Sequence, residues 1–195
     1  MSTKYVLFDI PSNSNPPTCW SPNTWKARGI MNYKGVPYET EWVEYPDIKV
    51  RLAAMGIPPK DGDIPYTLPM LKVTMTPADG SDPDIKYFTD SADIAKYIHE
   101  NHPDPDIDFD DKVNEEVLEV VQKFLSDPFG SLVLCEAPKV LPERSAEYFR
   151  ETRSRWMGMP VEEYKQRDWD REVQGAAEEE RRPIHARGTI VLHRY

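Results

Sequence analysis

The hydrophobic pattern changes period near residue 101. Before it, short apolar runs alternate with one-faced helical stretches. Lys4–Ile10 is a mostly apolar run bounded by Pro11 and a Ser/Asn/Pro turn, the pattern of a buried central strand. A helix is predicted from Pro22 to about Lys34, with Trp25 and Met31 on its inner face and Gly35 in the left-handed cap position. Val36–Tyr45, rich in Tyr, Thr, Trp and Val with Glu39, Glu41 and Glu44 interleaved, reads as a second strand. A short helical patch over Ile48–Met55 closes at Gly56. Pro69 lies inside the apolar stretch Ile64–Val73, where it removes a ladder donor unless it opens the strand in a special turn; a cis bond is therefore predicted there. Met70–Met75 and Ile85–Phe88 flank a turn-rich segment as an antiparallel hairpin. Thr89-Asp90-Ser91-Ala92-Asp93 then caps a helix carrying Ile94, Ala95, Tyr97 and Ile98, which ends before Pro103.

His102–Asp111 is a proline-broken acidic linker and the natural domain boundary. Beyond it only helical spacing is found. Lys112–Leu125 sets Val113, Val117, Val120 and Phe124 on one face; Pro142–Met157 carries Ala146, Phe149, Arg153 and Trp156; Trp169–Arg182 is weakly helical. The expected class is an α/β unit followed by an all-α unit.

Composition narrows the partners. Lys and Arg number 24 against 34 Asp and Glu, and the net charge of −10 opposes nucleic acid and anionic membrane. No run approaches the roughly 20 apolar residues that span a bilayer, and the opening residues Met1–Lys4 show no cleavable signal pattern, so a cytoplasmic location is expected. In a reducing compartment Cys19 and Cys135 are free thiols, the latter in an apolar run that reads as core. His99 and His102 with the acids of 104–111 match no ligand spacing, so no metal site is expected.

The candidate chemistry lies in Cys19-Trp20-Ser21-Pro22-Asn23-Thr24-Trp25-Lys26. Pro22 suits the first helical position and leaves Ser21 as N-cap. Unpaired amides and the positive end of the helix dipole favour an anion there, and they lower the pKa of a nearby thiol below roughly 8.5. A hydroxyl at that point can donate to a bound thiolate.

The layout and three motifs together resemble the glutathione transferases. Thr67-Leu68-Pro69 resembles their cis-proline turn, in which the residue before the proline pairs its backbone with the cysteinyl part of glutathione; that residue is Leu68 here. Thr89-Asp90-Ser91 resembles the acidic-Ser pair that grips the γ-glutamyl group. Ser91 and its helix-start amides suit a carboxylate, and Asp90 suits an ammonium. Ser21-Pro22-Asn23-Thr24-Trp25-Lys26 with Asn32–Tyr38 is most similar to the etherase-like, serine-type fungal members, whose bacterial relatives cleave aryl ethers with glutathione.

The resemblance covers residues 4 to about 175. It implies a thioredoxin-like domain over 1–102, a linker over 103–111 and a helical domain over 112–195. It also implies glutathione as co-substrate, Ser21 as the hydroxyl that holds the thiolate, Asn23 as an assisting amide donor, a homodimer, and a hydrophobic aromatic electrophile or aryl ether as second substrate. Lys49, Arg51 and Lys60 lie in the segment that meets the glycyl carboxylate, and no motif chooses among them. Cys19 is the rival to Ser21, although in cysteine-type relatives the cysteine immediately precedes the proline. From Gly175 onward the later helices and the Ser/Thr-x-x-Asp capping box are missing, so the helical domain is expected to be incomplete. A carrier of apolar or phenolic ligands with little turnover is the alternative.

Overall fold

Because successive side chains of a strand point to opposite faces, one strand can serve two cores. Strand β1 (Ser2–Asp9) does so in a computed structural model that describes residues 2–62, 64–107, 109, 115–117, 119–120 and 133–163. Tyr5 and Leu7 enter one apolar cluster with Ala27, Met31, Ile94 and Ile98, while Phe8 enters the other with Leu52, Ala146 and Phe149. Leu7 and Phe8 are both fully buried.

Helix α1 (Pro22–Tyr33) buries Thr24, Ala27, Ile30 and Met31. Trp25 was expected on that face, but it is 50% exposed. It stands about 100° round the helix from Thr24, off the stripe that Ala27 and Met31 continue. Strand β2 (Glu39–Trp42) runs parallel to β1 and is shorter than the predicted Val36–Tyr45, because Pro37 lacks a donor and Pro46 lies in a tight turn at Tyr45–Asp47. Helix α2 (Ile48–Ala54) follows. The Leu68–Pro69 peptide is cis, as the sequence predicts, and leads into the hairpin of β3 (Met70–Thr76) and β4 (Asp84–Phe88). The sheet order is β2-β1-β3-β4, with β3 antiparallel to both neighbours.

Helix α3 (Ser91–Asn101) packs beside α1 and is capped by Asp90, whose Oδ1 accepts from Ala92 N at 2.8 Å. At the end of α1, the buried Lys34 ammonium donates to Pro103 O (2.9 Å), to Pro105 O and to His99 Nδ1 (3.0 Å), which ties down the chain leaving α3.

Helix α4 (Glu143–Met157), ended by Gly158 at φ +66°, closes the other face. Its first turn is bound to the stretch before α2. Arg144 grips Asp47 through two hydrogen bonds of 2.8 and 3.0 Å, and these hold the Asp47 carboxyl below the usual carboxylate range. The buried Ser145 hydroxyl accepts from Tyr45 N (3.2 Å) and donates to Glu44 Oε2 (3.0 Å). The predicted helix at Trp169–Arg182 lies outside the described residues, as does most of Lys112–Leu125, of which Val117 and Val120 are exposed. Among the described residues no helix is long and apolar enough to cross a membrane.

Candidate active site

The position of the α1 N-terminus is set by a buried ion pair. Asp9, fully buried at the end of β1, accepts from Ile10 N (2.6 Å) and from Arg28 Nε (2.5 Å). The Arg28 guanidinium also donates to Thr40 Oγ1 (3.0 Å) and lies 5.1 Å from the Trp42 ring centroid, so β1, α1 and β2 are joined at one point. Burial disfavours the charge on Arg28, but Asp9 more than offsets this and raises its pKa above the usual value.

Ser21 occupies the N-cap position with extended backbone (φ −76°, ψ 126°), yet its side chain makes no capping hydrogen bond. Trp25 N (3.1 Å), in the first helical bond, and Thr24 Oγ1 (3.0 Å) both donate to the Ser21 main-chain oxygen. The hydroxyl is left over for something else. Thr24→Val removes one of these ties at a fully buried position, and a loss of about 1 kcal/mol in urea denaturation is expected; a loss below measurement error would show that Thr24 does not fix the turn.

Ser21, Asn23 and Leu68 line one cavity of about 440 Å³, in the ordinary range for small-molecule sites. Its opposite wall comes from α4 through Tyr148, Arg153 and Trp156. Asn23 Oδ1 accepts from Lys26 Nζ at 3.1 Å, which leaves its NH₂ group as donor. Pro69 is buried behind Leu68. Asp90 and Ser91 do not line this cavity, but Lys60 connects them to it: its ammonium donates to Thr89 O (2.7 Å) and lies 3.5 Å from Thr67 Oγ1. Of the three basic candidates, Lys49 faces the cavity, Lys60 holds the loops together, and Arg51 is paired with Glu41 (Nε to Oε1 3.0 Å) in a separate hollow between β2 and α2.

The α4 wall was not foreseen as a site. Tyr45, half-buried against Phe149 and stacked on Tyr148 (centroids 6.2 Å apart), has its phenol pushed up to about 12 by burial. Arg153 lies over Tyr45, Phe149 and Trp156. The i, i+4 spacing of Phe149 and Arg153 was the available signal, and it reads equally well as packing. Trp20 packs edge-on against Phe149 and Tyr45 behind the lining, its buried Nε1 without an acceptor among the described residues.

Residues 20–101 match the family model for the glutathione S-transferase N-terminal domain, and residues 114–183 match that for the C-terminal domain. The glutathione transferase GSTFuA3 of Phanerochaete chrysosporium is 32% identical, with a TM-score of 0.68 over 90% of this chain and 70% of that one. The chain belongs to the glutathione transferase family. The glutathione S-transferase CsGST63524 of Ceriporiopsis subvermispora, solved in complex with glutathione, is 30% identical with a TM-score of 0.66, covering 90% of this chain and 71% of its own. The glutathione S-transferase-like protein ustS of Aspergillus flavus is 32% identical over 166 residues, 81% of this chain and 56% of that protein. The chain thus spans little more than half the length of that curated relative. The sheet unit is the thioredoxin-like domain of a glutathione transferase, and α4 belongs to its helical domain.

Within this glutathione transferase, Cys19 is poorly suited to act as nucleophile. Burial above all pushes its thiol up and the nearby Asp9 carboxylate adds to this, while the Thr24 hydroxyl, 3.0 Å from Sγ, and the Arg28 charge pull the other way without cancelling it. Cys135 is buried, its Sγ donating to Val161 O at 2.9 Å. With Cys135 replaced by alanine, alkylation of Cys19 by iodoacetamide should still be accelerating at the pH where a free cysteine has levelled off; a plateau below pH about 8.5 would mark a reactive thiolate instead. Among the described residues no group of three or more His, Cys, Asp or Glu is placed to hold a metal ion.

Proposed function

We propose that the chain binds glutathione with its sulfur at Ser21 and transfers it to a hydrophobic aromatic electrophile, aryl ethers included. The observation that carries this is the Ser21 hydroxyl: it stands at a helix N-terminus, makes no capping bond, and lines the same cavity as Leu68. Ser21 donates to the sulfur, and the first amides of α1 add positive potential, so the thiolate is favoured over the thiol. The Asn23 amide is a second donor at the same mouth. Leu68 offers its backbone to the cysteinyl residue, fixed by the cis bond that precedes Pro69. At α3, Asp90 uses one carboxylate oxygen on Ala92 N and keeps the other for the γ-glutamyl ammonium, while Ser91 faces the α-carboxylate. Lys49 is the cation best placed for the glycyl carboxylate.

In the transfer the thiolate supplies the electron pair for a new carbon–sulfur bond. The leaving group, a halide or the phenoxide of an aryl ether, departs with the pair of the bond that breaks. Ser21 is not itself the nucleophile. The protein acts in the cytoplasm as a homodimer in this reading.

The test is retention on immobilised glutathione together with conjugation and ether-cleavage rates. Binding without turnover would overturn the enzyme reading in favour of a carrier of phenolic or apolar ligands, for which the aromatic wall of Tyr45, Tyr148 and Trp156 is suited. No retention would overturn both.

A further inference from the structure

Helix α4 carries four arginines, and three of them have carboxylate partners. Arg144 is paired with Asp47 (2.8 Å), Arg150 with Glu162 (3.0 Å) and Arg155 with Glu151 (2.7 Å). Arg153 is the exception. Among the described residues its single hydrogen bond runs from Nη1 to the neighbouring Thr152 Oγ1 (2.8 Å), a neutral acceptor, and no carboxylate reaches it. In a chain with 34 acidic residues against 24 basic ones, this is not a shortage of carboxylates.

The surroundings of Arg153 differ from those of the other three. It is half-buried and lines the cavity, with its guanidinium carbon 4.5 Å from the Phe149 ring centroid, 4.6 Å from Trp156 and 5.3 Å from Tyr45. The aromatic faces hold the planar group by cation–π attraction but accept none of its N–H bonds. Burial pulls its pKa below the usual arginine value, so the charge is uncomfortable where it stands. A planar cation with unused donors, set among aromatic rings in a cavity, is complementary to a flat ring bearing a carboxylate: the ring stacks and the carboxylate takes the guanidinium fork through two hydrogen bonds.

We propose that the α4 side of the cavity selects an aromatic carboxylic acid as the second substrate, and that Arg153 is the residue that recognises the carboxylate. The inference deepens the transferase reading by naming the class of its acceptor. It assigns the cations of the lining to different ligands: Lys49 faces glutathione, whereas Arg153 faces the acceptor on the opposite wall.

The experiment compares 4-chloro-3-nitrobenzoate with its methyl ester, a pair that differs in one negative charge. Binding is followed by quenching of tryptophan fluorescence in the full-length protein without glutathione, and chloride displacement is followed with it. The parent should bind the acid at least about tenfold more tightly than the ester, the scale of a charge-assisted hydrogen bond. Arg153→Met, which keeps the length and the apolar stem, should abolish that preference and leave the ester's affinity near parental. Arg153→Lys should restore part of it, and it serves as the folded control if the methionine variant is unstable. An unchanged acid-to-ester ratio in Arg153→Met overturns the proposal. So does weakened retention on immobilised glutathione with the ratio intact, which would assign Arg153 to a carboxylate of glutathione. A parent that ignores immobilised glutathione yet prefers the acid in an Arg153-dependent way overturns the transferase reading, and with it the acid's place as second substrate, while it supports Arg153 as the residue that recognises the carboxylate.

Discussion

Ser21→Ala is expected to lower the conjugation rate by about 10² to 10³ while retention on immobilised glutathione stays near parental, the magnitude seen when one donor to a developing or bound anion is removed. The reasoning depends on the free hydroxyl. An N-cap serine replaced by alanine ordinarily destabilises a helix by about 1 kcal/mol, but Ser21 makes no side-chain capping bond, so a near-parental melting temperature should accompany the loss of rate. The effect has a sign in pH. Without the donor the bound thiolate is less favoured and the thiol pKa of bound glutathione rises. The deficit should be greatest near neutrality and shrink as pH climbs toward the raised pKa, where hydroxide removes the proton without help. Equal rates for parent and variant across the pH range would sink the assignment. So would a Cys19→Ala variant that loses activity while Ser21→Ala keeps it.

Arg28→Met is expected to destabilise the protein by about 3–5 kcal/mol in urea denaturation, a large share of a domain's stability. It leaves the Asp9 carboxylate fully buried, with only the Ile10 amide and the weak Cys19 thiol as donors among the described residues. Burying an unpaired charge is far more costly than replacing a pair by apolar groups, so the double variant Arg28→Met with Asp9→Leu should recover much of the loss. Because Arg28 also ties Thr40 and Trp42 to the pair, part of the effect will persist in the double variant. A single variant within about 1 kcal/mol of the parent would show that the pair is not what holds β1, α1 and β2 together.

Most of the sheet unit was legible in the sequence because its signals are local. Pro22 fixes a helix start, Gly35 and Gly56 take the left-handed conformations that follow α1 and α2 (φ +63° and +76°), and Pro69 in an apolar run points to its cis bond. The exposure of Trp25 was not legible, since a large apolar side chain one position off the buried stripe looks the same on paper as one that sits on it. The Asp9–Arg28 pair was missed for another reason: a buried ion pair 19 residues apart leaves no periodic trace. Motif spacing named the glutathione-facing residues, whereas the acceptor wall required knowing that α4 lands beside Tyr45. That landing is decided by Arg144, Ser145, Glu44 and Asp47, contacts about 100 residues apart in the chain that no local rule anticipates.

The two walls of the cavity also differ in how they could change over time. Everything proposed to act on the thiolate lies on the sheet unit, held by the buried Asp9–Arg28 pair, while the α4 part of the acceptor wall is one helix joined to it by the apolar packing of Ala146 and Phe149 and by polar contacts on Asp47, Glu44 and the Tyr45 amide. A helix attached in this way can be exchanged among relatives that keep those contacts, and the exchange would re-aim the enzyme at a new acceptor without retuning its sulfur chemistry. Diversification of substrate range then needs no compromise with the step all substrates share.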